Sequence, residues 1–147
     1  MKTRILLVDD EEQFVQALSE RLTLRGYDVT TSLSGEDALE KLKHYNYEVV
    51  ILDIAMPGLD GVTTLREIKK FKPLTEVIML TGHATVETAI EGMKLGAADY
   101  LVKPCDTEEL MAKINKAHQK KAGTEERIRE AKVKDIISSP RSVLKKK

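Results

Sequence analysis

Short apolar runs alternate with longer amphipathic stretches along this chain, the pattern of successive strand–helix–strand units that build a parallel sheet. Five runs stand out: Ile5 to Val8, Tyr27 to Thr31, Val49 to Leu52, Val77 to Leu80 and Tyr100 to Val102. They are rich in Val, Ile and Leu, as strands covered on both faces require. Between them, Phe14, Leu18 and Leu22 recur at helical steps, with Gly26 placed to end that helix in a left-handed conformation. Ser34 to Asp37 opens a second helix. A third is expected from about Asp60 to Phe71, with Val62, Leu65 and Ile68 to Lys69 facing the core and Pro73 stopping it. Gly96 closes the fourth, and Asp106 to Glu109 reads as a capping box for the fifth. The expectation is an α/β fold with a five-stranded parallel sheet and five flanking helices.

Past Ala122 the pattern changes. Gly123 is expected to interrupt the helix, after which Thr124 to Ile137 forms a charged helix with Ile128, Ala131 and Ile136 loosely on one side. The last residues, from Ser138 to the three terminal lysines, read as a mobile basic end. Residues 1–120 are therefore expected to form one domain and residues 121–147 a basic tail.

Charge sharpens that division. The 147 residues carry 24 Lys plus Arg and 24 Asp plus Glu. Met1 to Lys120 holds 15 basic against 20 acidic residues, and Lys121 to Lys147 holds 9 against 4. An acidic body does not suit nucleic acid, and the diluted basic tail makes only a weak, salt-sensitive case for it. A hydrophobic fraction of 41% can bury a core. No apolar run approaches the roughly 20 residues that cross a bilayer. A single cysteine, Cys105, and no signal-peptide pattern lead us to expect a reducing, cytoplasmic setting.

Several polar residues directly follow the apolar runs: Asp9 and Asp10, then Asp53, Thr81 and Lys103. Open α/β sheets bind ligands at strand carboxyl ends. With strand order 2-1-3-4-5, strands one and three are neighbours, and Asp9, Asp10 and Asp53 meet in the crevice between them. Three gathered carboxylates call for a cation, and oxygen donors with room for water suit Mg²⁺. Taken singly, each residue has an ordinary reading: Asp9 and Asp10 as a helix N-terminus, Thr81 as a strand end, Lys103 as a solvated charge. Their joint occurrence on one sheet edge favours a site. His44 and His118 fall on helix surfaces without metal-ligand spacing.

The segments Leu7-Val8-Asp9-Asp10-Glu11, Leu52-Asp53-Ile54-Ala55-Met56-Pro57-Gly58-Leu59-Asp60-Gly61, Leu80-Thr81-Gly82-His83-Ala84 and Gly96 through Pro104 closely resemble the receiver domain of bacterial two-component response regulators. The resemblance covers about Lys2 to Lys120. It implies that Asp53 accepts a phosphoryl group from a histidine kinase or phosphotransfer protein. Asp10, Asp53 and the Ala55 carbonyl would ligate Mg²⁺ or Mn²⁺, with Asp9 acting mainly through water. Thr81 and Lys103 would bind the phosphoryl oxygens, and the Lys103-Pro104 bond would be cis. Ala55 and His83 occupy positions that tune dephosphorylation, and Tyr100 the aromatic switch position. Cys105 stands where many members carry an aromatic residue, and reads as a small buried filler.

The chemistry agrees with these roles, because phosphoryl transfer asks a protein mainly for alignment and charge neutralisation, and a carboxylate nucleophile needs no general base. The resemblance further implies a switch whose fourth helix, fifth strand and fifth helix face a downstream protein; a homodimer through the tail is a further possibility. With no output domain visible after Lys120, the chain reads as a stand-alone receiver or one with part of its linker. Two other classes suit the residues less well. A flavin-binding flavodoxin-like module needs a phosphate-cradling first loop, where this chain has Asp9-Asp10-Glu11-Glu12. An aspartyl-phosphate phosphohydrolase resembles Asp-x-Asp after its first strand, whereas Asp53 follows the third.

Overall fold

The computed structural model describes residues 2–55, 60–82 and 86–138. Five strands, β1 (Arg4–Val8), β2 (Asp28–Ser32), β3 (Val49–Leu52), β4 (Glu76–Thr81) and β5 (Asp99–Val102), form one parallel sheet in the order β2-β1-β3-β4-β5. Five helices connect and follow them: α1 (Glu12–Leu24), α2 (Gly35–His44), α3 (Gly61–Phe71), α4 (Val86–Lys94) and α5 (Thr107–Ser138). The second strand lies one residue later than Tyr27 to Thr31. Tyr27 is drawn off the strand into the core, where its hydroxyl donates to Asn115 Oδ1 at 2.8 Å.

Strand periodicity divides the core in two. Ile5, Leu7, Ile51, Ile78 and Leu80 face one side of the sheet and pack with Val15, Leu18 and Leu22 of α1 and Leu110, Ile114 and Ala117 of α5. The alternate residues Leu6, Val8, Val50, Leu52, Val77 and Met79 face the other side, against Ala38 and Leu42 of α2 and Leu65 and Ile68 of α3. On α1 the buried place expected for Phe14 belongs to Val15, and Phe14 is only half-buried.

The helix ends follow the sequence signals. Ser34 Oγ accepts from Asp37 N at 3.1 Å, Asp60 Oδ1 accepts from Thr63 N at 2.8 Å, and Gly26 and Gly96 adopt φ of 97° and 103°. One expected end is absent. α5 runs unbroken for 32 residues through Gly123, about 48 Å. One glycine costs a helix only about 1 kcal/mol, and strong helix formers such as Ala122 and Glu125 flank it. His118, expected on a helix surface, is half-buried with Nδ1 out of reach of water. The terminal residues 139–147 lie outside the described residues. No described helix is long and apolar enough to cross a membrane.

Candidate functional site

Strand register assembles the site. Val8 pairs with Leu52, so Asp9 and Asp53 leave neighbouring strands side by side, and Asp53 N donates to Val8 O at 3.0 Å. Thr81 pairs with Val102 at the end of β4, and Lys103 N donates to Thr81 O at 2.9 Å. The expected edge of four strand ends is therefore present, and Lys103-Pro104 is cis.

Carboxylate oxygens of Asp9, Asp10 and Asp53 all lie within 4.8 Å of one another. Asp9 and Asp53 are buried, whereas Asp10 is exposed. Hard oxygen donors with one solvent-facing member fit a small divalent cation that keeps part of its water shell. Asp53 Oδ1 accepts from the Ala55 N–H at 3.0 Å, which fixes the plane of its carboxylate.

Lys103 brings the opposite charge. Its Nζ lies 2.5 Å from Asp9 Oδ2, 3.4 Å from Glu11 Oε1 and 3.8 Å from Asp53 Oδ2, with its side chain 12% exposed. Burial alone would lower the affinity of this amine for its proton, but the hydrogen bond and charge of Asp9, with Asp53 and Glu11, hold it above its ordinary value. Burial pushes Asp9 up, and the neighbouring Asp53 charge adds to that, against the pull of Lys103 and the Glu11 N–H. Both groups are thus shifted toward holding a proton, which favours the charge on Lys103 and opposes the charge on Asp9. With three carboxylates within 3.8 Å of its Nζ, Lys103 is an ammonium paired with the Asp9 carboxylate.

Two participants escaped the sequence reading. Glu11 stands at the N-cap of α1 but makes no side-chain cap; its carboxylate faces Lys103 instead. Gly61 opens α3 against the strand: a Cβ there would lie 2.2 Å from Ile54 Cα and 2.3 Å from the Asp53 carbonyl oxygen. A glycine immediately after the Asp60 cap was the available signal. Thr81 is buried, Ala55 is exposed, Tyr100 is 43% exposed and Cys105 is half-buried, less covered than a buried filler. His83 lies outside the described residues.

The family model described as the response regulator receiver domain matches residues 5–115. The chain belongs to that family. The receiver is 41% identical over 113 residues to the transcriptional regulatory protein ZraR of Escherichia coli strain K12, covering 77% of this chain and 26% of that protein. It thus spans about a quarter of the length of this curated relative. Its fold is similar to a CheY-like receiver domain protein from Methanospirillum hungatei JF-1, with a TM-score of 0.81, 27% identity, and coverage of 84% of this chain and 99% of that one. It is also similar to NtrX from Brucella abortus, at a TM-score of 0.80 and 32% identity, covering 86% of this chain and 29% of that one. Phosphorylation and Mg²⁺ binding are general properties of receivers, which work with histidine kinases and downstream effectors. This membership leaves the flavin-binding and phosphohydrolase readings without support.

Proposed function

We propose that Asp53 is the phosphoacceptor of a Mg²⁺-dependent switch, taking its phosphoryl group from the phosphohistidine of a kinase or phosphotransfer protein. The observation that carries this is the grouping of Asp53 with Asp9 and Asp10 within 4.8 Å, with Lys103 Nζ 3.8 Å from the Asp53 carboxylate. A carboxylate oxygen of Asp53 bonds to phosphorus as the phosphorus–nitrogen bond breaks, and the imidazole leaves with that electron pair. Asp10, Asp53 and the Ala55 carbonyl would hold Mg²⁺ or Mn²⁺, with Asp9 acting mainly through water, and a bound cation would supply neutralisation of charge on the phosphoryl oxygens. Lys103 and Thr81 bind those oxygens, and Ala55 and His83 set how fast water removes the group.

Tyr100 then reports the state of Thr81 by exchanging its exposed position for an inward one, a redistribution of two conformations. The exposed apolar side chains Ile90 and Met93 of α4 and Tyr100 and Val102 of β5 suit a downstream protein partner on this face. Residues 1–120 form the switch, and residues 121–147 an appended basic segment.

The test is intact-mass spectrometry of the native protein with Mg²⁺ and acetyl phosphate. One phosphoryl group per chain is expected, and none on Asp53→Asn. Stoichiometric labelling of that variant at another carboxylate would overturn the assignment.

A further inference from the structure

The ammonium of Lys103 has a fourth neighbour that is not an anion. Its Nζ stands 4.1 Å from the centroid of the Phe14 ring. Phe14 lies in the first turn of α1, half-buried against the core cluster that contains Val15 and Leu110. A lysine head is a compact charge on a flexible four-carbon stem, so three carboxylates in different directions do not by themselves fix where it rests. An aromatic face attracts a cation within about 6 Å of its centroid, most strongly where water is excluded. With its side chain only 12% exposed, Lys103 has little water to solvate it on the ring side. Glu11 contributes less, because its side chain is 65% exposed and its pair is screened.

We propose that Phe14 is a positioning residue for Lys103: the ring face holds the ammonium between Asp9 and Asp53, in place for an arriving phosphoryl oxygen. This rests on the role given to Lys103 above. A leucine at position 14 would fill much of the same apolar space without a π face, whereas a tyrosine would keep the face. Packing alone and cation attraction therefore give different orders of the variants.

Two readouts test it, with urea midpoints to follow folding. In metal-free protein, reductive methylation of Lys103 is followed by peptide mass spectrometry against the exposed Lys94. Phe14→Leu is expected to speed modification of Lys103 by about three- to tenfold, and Phe14→Tyr to stay near the native rate. With Mg²⁺ and saturating acetyl phosphate, labelling of Phe14→Leu is expected to slow by a similar factor while Phe14→Tyr restores it. Should Phe14→Leu not fold, Phe14→Met takes its place. The proposal is overturned if Leu and Tyr behave alike in both assays, or if both effects merely follow the urea midpoints. Native labelling rates in Lys103→Ala, with the Lys103 methylation difference between the native protein and Phe14→Leu still present, would refute the phosphoryl role of Lys103 and leave its seating by Phe14 standing.

Discussion

Lys103 Nζ reaches Asp9 Oδ2 at 2.5 Å across 94 positions of sequence, joining the first and last strands of the motif set through the middle of the sheet edge. The same ammonium is 3.8 Å from Asp53, so in the unphosphorylated molecule it is held chiefly by Asp9. A phosphoryl group on Asp53, as proposed above, would therefore compete with Asp9 for Lys103.

Removing the ammonium has two expected consequences. Lys103→Ala leaves Asp9 buried without its partner, and loss of one member of such a pair costs about 1–3 kcal/mol. The urea midpoint should fall accordingly with the circular-dichroism spectrum unchanged, and phosphoryl labelling should slow. Native stability in this variant would mean that the pair contributes nothing net.

Gly61→Ala is expected to impair labelling more than its chemical change suggests. The added methyl would collide with backbone at Ile54 and Asp53, which cannot move aside as a side-chain tip can. The strand end that carries Asp53 must shift or α3 must tilt, and overpacking of this kind costs about 1–3 kcal/mol. Labelling rate and urea midpoint together check it; a native rate would show that the strand end tolerates displacement.

Ile114→Ala tests the packing of α5 on the sheet. Ile114 is fully buried among Ile78, Leu80 and Leu101, and truncations of this type cost about 2–5 kcal/mol. The loss should appear as a lower urea midpoint with labelling stoichiometry retained in the folded protein.

Asp99 gives a pH dependence with a definite sign. Its Oδ2 lies 2.6 Å from Lys113 Nζ; burial alone would raise its pKa, but the Lys113 hydrogen bond, the Tyr100 N–H and the charges of Lys113 and Lys116 carry it below the ordinary 3.8. A folded value below the unfolded one adds stability above the unfolded pKa, and that stability is lost as pH falls through the folded one. Asp99→Asn should therefore be less stable than the native chain at pH 7, by about 1 kcal/mol for this half-buried pair. The gap should close below about pH 4. Urea midpoints of both proteins from pH 7 to pH 3 measure it, and a gap independent of pH would exclude this origin.

Truncation after Lys120 should leave the fold intact. Among the described residues, the buried α5 side chains Leu110, Ile114 and Ala117 precede that point, so the packing they make with the sheet is retained although the helix continues. A loss of cooperative unfolding in the shortened chain would move the domain boundary beyond it.

The pattern of apolar positions determined five strands and five helices, and the local signals of Ser34, Asp60, Gly26 and Gly96 marked four helix ends, because these depend on neighbours within a few residues. The motif spacing likewise put Asp9, Asp10, Asp53, Thr81 and Lys103 at strand ends, since each directly follows an apolar run. Only the tertiary structure decided which of them touch. That Lys103 pairs with Asp9 more closely than with Asp53, that Glu11 turns from capping α1 to face the same lysine, and that the Phe14 ring lies beneath it depend on packing between segments distant in sequence. The helical stripe gave Phe14 an apolar role and nothing more. Gly61 was visible as a residue, but its necessity comes from the approach of α3 to β3, a distance no local pattern encodes. Gly123 shows the converse: a local breaker was outweighed, because one glycine costs a long helix less than the helix formers around it supply.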